Sequence, residues 1–420
     1  MAYLLVVALL LTATTSSTQN GNSSPSSSSP NGGSSSSWPG IWGPARNGTA
    51  VASGTPARPS GFTELWRRKT QGGYSEVAVH GGSVFTGEAS NGTDYIVAMD
   101  AASGKERWRA ALGATYRGHD GSHDGPIATP AVAGNDVFAI GPHGTIVAID
   151  AATGRERWRH DLVKGFGAVA PIYGFGTSPL VEGSAVLVQT NGDKSQGLLA
   201  FDRASGKLLW NAKHGVRGGY SSPSAGVAAG VRQVVAAAGD NVFAISPSDG
   251  KVLWSIKGLG DPEQVANPPQ FLSEDRVLVS SWGESVLLKI GRTGEVLAAT
   301  ELWRSPRLRA SYSPAIYRDG HFYGFSGPFL LCVDAVTGDI KWRQRTYEGT
   351  LIGAGANLFV LSRASGELLV VEASPKAFTQ LMTTPVFTPG SASYTGPSVV
   401  GNRIYLRNVE EIVAFAIEGQ

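Results

Sequence analysis

The stretches IVAMDAASGKERW (96–108), IVAIDAATGRERW (146–158), LLAFDRASGKLLW (198–210), VFAISPSDGKVLW (242–254) and LLCVDAVTGDIKW (330–342) carry one phrase: an apolar run, a polar turn with Gly, and a second run ending in Trp. Each copy reads as strand, turn, strand, and a sheet of this kind cannot bury its faces alone, so the copies must stack. Within the phrase the chemistry is structural. Asp100, Asp150, Asp202 and Asp334 are placed to accept hydrogen bonds from turn amides, and the Gly that follows is free to take a positive φ. Trp108, Trp158, Trp210, Trp254 and Trp342 are expected to act as wedges between neighbouring sheets. A cofactor would need one such residue, whereas almost every copy has one.

Working outward, units fall at about 75–112, 124–162, 173–214, 220–258, 265–303, 310–347 and 348–387. The fifth keeps Thr293 and Gly294 but has Ala298 where Trp is expected, and the seventh, LLVVEASPKAFTQL (368–381), lacks both Gly and Trp. A last segment from Gly396 supplies the front of another unit without a Trp strand. Residues 61–70, GFTELWRRKT, carry that strand, so Trp66 is expected to complete an eighth sheet and close the ring, which hides the sheet edges. Thr129-Pro130, Ser178-Pro179, Ser222-Pro223, Asn267-Pro268 and Ser313-Pro314 mark where first strands begin, since proline fits a position that donates no ladder bond. No stretch has sustained helical periodicity. The expected fold is all-β: an eight-bladed propeller of four-stranded antiparallel blades over 61–420.

Composition narrows the function classes. One repeat period through most of 420 residues argues for a single closed array. A net charge of +2, from 35 basic and 33 acidic residues without a Lys/Arg run, gives no field for nucleic acid or an acidic membrane surface. Glycine, at 55 residues, fits many tight hairpins. The lone Cys332 excludes an internal disulfide and any cysteine-based metal cluster. Residues 1–15, an apolar run followed by small polar residues, read as a signal peptide too short to span a bilayer. No lipidation cysteine follows it. Residues 16–37 read as a Ser-rich disordered linker. The expectation is export to the periplasm or the extracellular space, with no transmembrane segment in the mature chain.

The VxAxDxxTGxxxW phrase resembles the pyrroloquinoline-quinone (PQQ) type propeller repeat shared by quinoprotein alcohol dehydrogenases and BamB-type outer-membrane assembly proteins. The chain is more similar still to secreted bacterial PQQ-like propeller proteins. The matching residues are Trp38-Pro39, Trp42-Gly43-Pro44, Arg46-Asn47-Gly48, Gly125-Pro126, Ala128-Thr129-Pro130, Tyr173-Gly174, Ser178-Pro179-Leu180, Gly219-Tyr220-Ser221-Ser222-Pro223 and His321-Phe322-Tyr323-Gly324-Phe325. The resemblance covers about 38–420 and implies that residues 38–60 form an N-terminal cap before the ring. For the dehydrogenases it implies PQQ on the ring axis with calcium, an aspartate base and a vicinal disulfide. This chain has no Cys-Cys pair and no Cys-x-x-Cys-His. Neither cofactor nor catalytic residue is expected.

Candidate functional residues come from the connections between units, which share one face of a propeller. They are His119, Asp120, His123, Asp124, Tyr173, Arg217, Tyr220, Asn267, Arg307, Arg309, Tyr312 and Tyr394. In the segment 116–125, Asp120, Ser122 and Asp124 alternate like the start of a calcium loop, but no Glu occupies the bidentate position. His119 and His123 have the spacing of a metal pair only on a helix, which a Gly-rich loop is not. A polar exposed loop without metal is expected there, and a plain turn at 191–195. No Gly-x-Ser-x-Gly elbow supports a hydrolase. Tyr74-Ser75, Tyr220-Ser221, Tyr312-Ser313 and Tyr394-Thr395 recur at equivalent places, either lining the channel mouth or packing between blades. Lining tyrosines with a few Arg and His side chains would suit an envelope protein, a peptide, a glycan or a small polar ligand. The expected function is an exported, monomeric, non-catalytic binding or scaffold module. The alternatives are a PQQ-dependent dehydrogenase with a non-standard site and a BamB-like assembly scaffold.

Overall fold

A computed structural model describes residues 37–420 except 52, 191–196, 214–218, 260–266, 274, 310–311 and 392. The expected signal peptide, almost all of the linker, Arg217 and the turn at 191–195 lie outside the described residues. Eight four-stranded sheets form the ring. Blade 1 runs from hub to rim as Ala78–His80, Ser83–Ser90, Thr93–Asp100 and Glu106–Ala114, each strand antiparallel to the next. Blades 2 to 7 begin at Ala131, Leu180, Ser224, Gln270, Ile316 and Gly349. Blade 8 takes Ser398–Val400, Arg403–Arg407 and Glu411–Gly419 from the end of the chain and its outer strand, Pro59–Lys69, from near the beginning. Trp66 lies opposite Ala414 in that sheet, so the strand expected to close the ring does so.

Four antiparallel strands put every blade-to-blade connection on one side of the ring, here called the loop face. The hairpins between first and second strands open on the other, the hairpin face. Middle strands such as Asn357–Ser362 are buried throughout because a neighbouring blade covers each side, whereas rim strands such as Glu106–Ala114 are mostly exposed. Separate apolar clusters fill the seams, for example Phe138, Trp158 and Phe201 between blades 2 and 3. The cluster around the closure spans blades 7, 8 and 1 and takes in Trp38 and Ala50 from the cap.

The wedges work through a repeated hydrogen bond. Trp66, Trp108, Trp158 and Trp210 donate their indole N–H to the carbonyls of Ala101, Ala151, Arg203 and Pro247 in the turn of the next blade, at 2.9–3.1 Å, and Trp342 reaches Ser374 in the same way. Trp66, Trp108, Trp158 and Trp210 each lie over the turn glycine they meet. A Cβ on Gly104, whose φ is +69°, would stand 2.5 Å from the Trp66 ring.

Two departures from the sequence reading concern blade 5 and the connection after blade 2. In blade 5 the strands Ser285–Thr293 and Val296–Ser305 run on past the usual turn, so Ala298 is not the wedge position. Trp303 is. It lies opposite Leu287 as Trp108 lies opposite Ala98, and it donates to Ala335 O at 3.0 Å. The longer hairpin leaves blade 5 without the tight turn that would receive the preceding indole, and Trp254 instead donates to Gln233 Oε1 in its own blade, at 2.7 Å. In blade 7 Met382 stands in the wedge place opposite Val370, consistent with a unit that has lost its Trp. The second departure is a one-turn helix, Leu162–Phe166, capped by Asp161 and ended by Gly167 at φ 67°. It is too short to leave a periodic signal.

The residues before the prolines tie the hub together. Glu76 N–H donates to Thr129 Oγ1, Thr129 N–H to Ser178 Oγ and Ser178 N–H to Ser222 Oγ, each at 2.9 Å. Asn267 Nδ2 donates to Ser313 O at 3.0 Å. At the closure Glu76 holds the equivalent place, and its Oε1 accepts Gly396 N–H of blade 8 at 3.1 Å. Arg407, buried in blade 8, crosses the same seam and donates to the carbonyls of Ser75, Gly87 and Gly72 at 2.7–2.9 Å.

Candidate functional site

Three of the four recurring tyrosines, for which lining the mouth and packing between blades were both open, come together on the loop face. Tyr312, Tyr394 and Tyr74 meet edge to face, with ring centroids 4.9 and 5.0 Å apart. Trp282 continues the series against Tyr312 at 5.5 Å and His123 against Tyr74 at 5.9 Å. The Arg363 guanidinium lies 4.5 Å from the Tyr312 ring centre and 4.4 Å from that of Tyr394, and Glu348 pairs with it at 2.9 Å. The result is an arc of half-exposed aromatic rings drawn from blades 5 to 8 and the first connection. Burial pushes the Tyr74 and Tyr312 phenols up, so both stay protonated at neutral pH. Trp282 and Arg363 were not legible as candidates. They sit in the turns between second and third strands, which open on the loop face too but carry no repeated signature.

A second cluster lies across the mouth. Tyr173 stacks on His119 at 5.0 Å and 15°, and packs against Tyr220 at 6.1 Å. Here the tyrosine tips are used internally: Tyr220 OH accepts Tyr173 N–H at 2.8 Å, as Tyr74 OH accepts His123 N–H at 2.6 Å. Both ring nitrogens of His119 face acceptors, Asp120 Oδ2 at 3.0 Å and Ile172 O at 2.9 Å. A proton on each nitrogen satisfies both, and the Asp120 carboxylate accordingly raises the pKa of His119.

The segment 116–125 folds on itself. Asp124 accepts Gly118 N–H at 2.9 Å and pairs with Arg117 at 2.5 Å, and these two partners hold its carboxyl below the usual range. Ser122 Oγ accepts His119 N–H and donates to His119 O. The alternation of Asp120, Ser122 and Asp124 thus serves the loop's own backbone. Of the remaining candidates, Asn267 is buried in the hub, Arg309 is exposed, and Arg307 points to Asp339 of blade 6 at 3.4 Å, away from the arc. Two clefts of about 200 and 110 Å³ lie beside the mouth near the seam of blades 8 and 1; they share Gln71, Ala89 and Ser90.

The axis itself is filled. The cap comes in on the hairpin face, where Trp38 pairs with Val79 through both backbone bonds at 2.7–2.8 Å and Pro39 O accepts Val132 N–H at 2.7 Å. It climbs the hub until Trp42 N–H reaches Glu76 Oε2 at 3.0 Å. Burial pushes the Glu76 carboxyl up to about 8, while the amides of Trp42 and Gly396 pull the other way. From there the cap returns past Gly353, which bonds Gly48 O and Ala50 N–H at 2.8 Å, and leaves beside Gly401 of blade 8. An axial quinone with calcium, implied by the resemblance for dehydrogenases, needs an open cavity and several oxygen ligands. Among the described residues no three His, Cys, Asp or Glu side chains come together for a metal, and the cap takes the space. The residues present do not fit that pair.

An eight-bladed ring fastened by this phrase defines a PQQ-like β-propeller. The family model described as "Outer membrane protein assembly factor BamB" matches residues 57–192 and 93–323, which together take in more than half of the chain, and the chain belongs to this BamB-type family. No curated protein matches it in sequence. Among solved structures it is similar to a europium-containing methanol dehydrogenase (14% identity, TM-score 0.67, covering 91% of this chain and 98% of that one). It is also similar to BamB from Moraxella catarrhalis (15%, 0.59, 85% and 100%). A third is the quinohemoprotein alcohol dehydrogenase ADHIIG from Pseudomonas putida HK5 (15%, 0.63, 92% and 81%). At such identities the likeness is one of fold.

Proposed function

We propose that the protein is an exported, non-catalytic binding module that receives a peptide, a glycan or a small polar ligand on its loop face. One observation carries this reading: the arc of Trp282, Tyr312, Tyr394, Tyr74 and His123, half-exposed and braced by Arg363. Rigid rings give contact area at little entropic cost, and their polar tips give direction. Because Glu348 compensates Arg363, the arc offers aromatic faces and hydroxyls without an unpaired charge, which favours a neutral polar ligand.

The test is titration of the full-length protein with neutral oligosaccharides and with aromatic-rich peptides, followed by intrinsic tryptophan fluorescence and calorimetry. Saturable binding should weaken at least tenfold in a Tyr312→Ala, Tyr394→Ala double variant, the loss of about 1.4 kcal/mol or more expected for aromatic anchors. Binding that survives the double variant unchanged would place the ligand elsewhere. A BamB-like scaffold role is supported by family membership, and there the arc would take a protein segment, so that the peptides and not the sugars would bind.

A further inference from the structure

We propose that the hub of this ring is a guanidinium-binding cavity filled in cis by Arg46, so that residues 38–50 take the axial place where a quinone would otherwise be seated. The socket is made of main-chain oxygen. Arg46 Nη1 donates to Pro223 O at 2.8 Å and Ser178 O at 3.3 Å, and Nη2 donates to Pro179 O. All three carbonyls lie where the first strands of blades 3 and 4 begin, next to the Ser-Pro steps that tie the hub. Arg46 is 7% exposed, and its hydrogen bonds to the described residues all go to main-chain carbonyls. A site that only accepts, and accepts from two nitrogens of one planar group, suits a guanidinium better than an ammonium, which lacks the fork.

The backbone around Arg46 is held against its own preference. Trp42 and Arg46 take φ of 56° and 53°, a region that residues with a Cβ seldom enter unless their surroundings fix them. Those surroundings are close on every side. A Cβ on Gly43 would meet the Trp38 ring at 2.9 Å, one on Gly48 would meet Ile316 Cδ1 at 2.6 Å, and one on Gly396 would meet the Trp42 ring at 2.2 Å. The plug touches the hub strands or their approaches in blades 1, 2, 3, 4, 6, 7 and 8. An acidic tricyclic quinone placed there would displace Arg46 and set its carboxylates against the carbonyl oxygens of Ser178, Pro179 and Pro223. That is a repulsive arrangement.

The experiment uses the full-length chain in three measurements. In wild-type protein, hydrogen exchange followed by mass spectrometry should show the amides of 38–50 protected like those of the inner strands; exchange as fast as in an unstructured peptide would overturn the plug. Wild-type protein titrated with PQQ and calcium should show no saturable tryptophan quenching. One-to-one quenching by PQQ, abolished by EDTA, would overturn the proposal. Finally, ethylguanidinium at about ten times its dissociation constant should raise the melting midpoint of Arg46→Ala by roughly 1–3 °C and leave wild type unmoved, while ethylammonium shifts neither protein. Equal effects of the two cations on the variant would remove the guanidinium site. Should Arg46→Ala not fold, Arg46→Gln serves for the same comparison, and the two wild-type measurements stand independently.

Discussion

Gly104 and Trp66 show how one position can be required twice. The glycine sits at φ +69°, and the preceding blade's fastening ring lies where its side chain would go. Gly92 has a similar φ, +77°, but nothing within 4 Å of its missing Cβ. Gly92→Ala should therefore cost about 1–2 kcal/mol for the left-handed backbone alone. Gly104→Ala should cost a further 1–3 kcal/mol, on the order expected for overpacking, and urea unfolding of the pair checks the difference. Trp303 makes the complementary point. Read by spacing, the fifth copy has lost its wedge at Ala298; read by hydrogen bonds, the wedge has moved along a longer hairpin. Trp303→Ala should destabilise by about 3 kcal/mol, close to Trp108→Ala, while Ala298→Ser should leave the urea midpoint unchanged.

At the level of the elements, first strands only a few residues long are held by side chains that precede them. Removing the Ser178 hydroxyl strands the buried amide of Thr129, and Ser178→Ala should cost about 1–3 kcal/mol, measured by thermal or urea unfolding. The sequence marked the Ser-Pro steps as strand starts, which proline alone suggests. It could not show that the residue before each proline accepts from the blade before it, because that link joins positions far apart in the chain. Glu76 replaces a hydroxyl at this place, and its two oxygens serve blade 8 and the cap. Burial raises its pKa from 4.5 to about 8. A carboxyl raised on folding stabilises most below its unfolded pKa, and that contribution fades as pH climbs from about 4.5 through about 8. Asp94, raised by burial to about 6, acts with the same sign at lower pH. The melting midpoint should therefore fall on going from pH 5 to pH 9, to about that order of range, and Glu76→Gln should flatten the fall above pH 6. An unchanged slope in the variant would assign the effect to other groups.

For the whole molecule, the blade count and the closing strand were readable from a phrase and its lapses. What was not readable was the path of 38–50. A Trp-Pro-rich stretch signals a cap by resemblance, but only long-range bonds such as Arg46 to Pro223 show that it runs inside the ring. The same holds for Trp282 and Arg363, which contribute to the arc from turns with no pattern of their own. Closure also orders events in time. The strand Pro59–Lys69 has no partner until Glu411–Gly419 has been made, so folding must wait for contacts of very large sequence separation and should be slow. Trp66→Ala, which loosens that last seam, should give soluble aggregates detectable by size-exclusion chromatography where wild type gives a single species.

The course of the cap has a geometric corollary. Trp38 joins the ring beside Val79, one residue from the hairpin that ends the first strand of blade 1, so the described chain begins on the hairpin face. The aromatic arc lies on the opposite face, so the full depth of the ring separates it from the point where the cap enters.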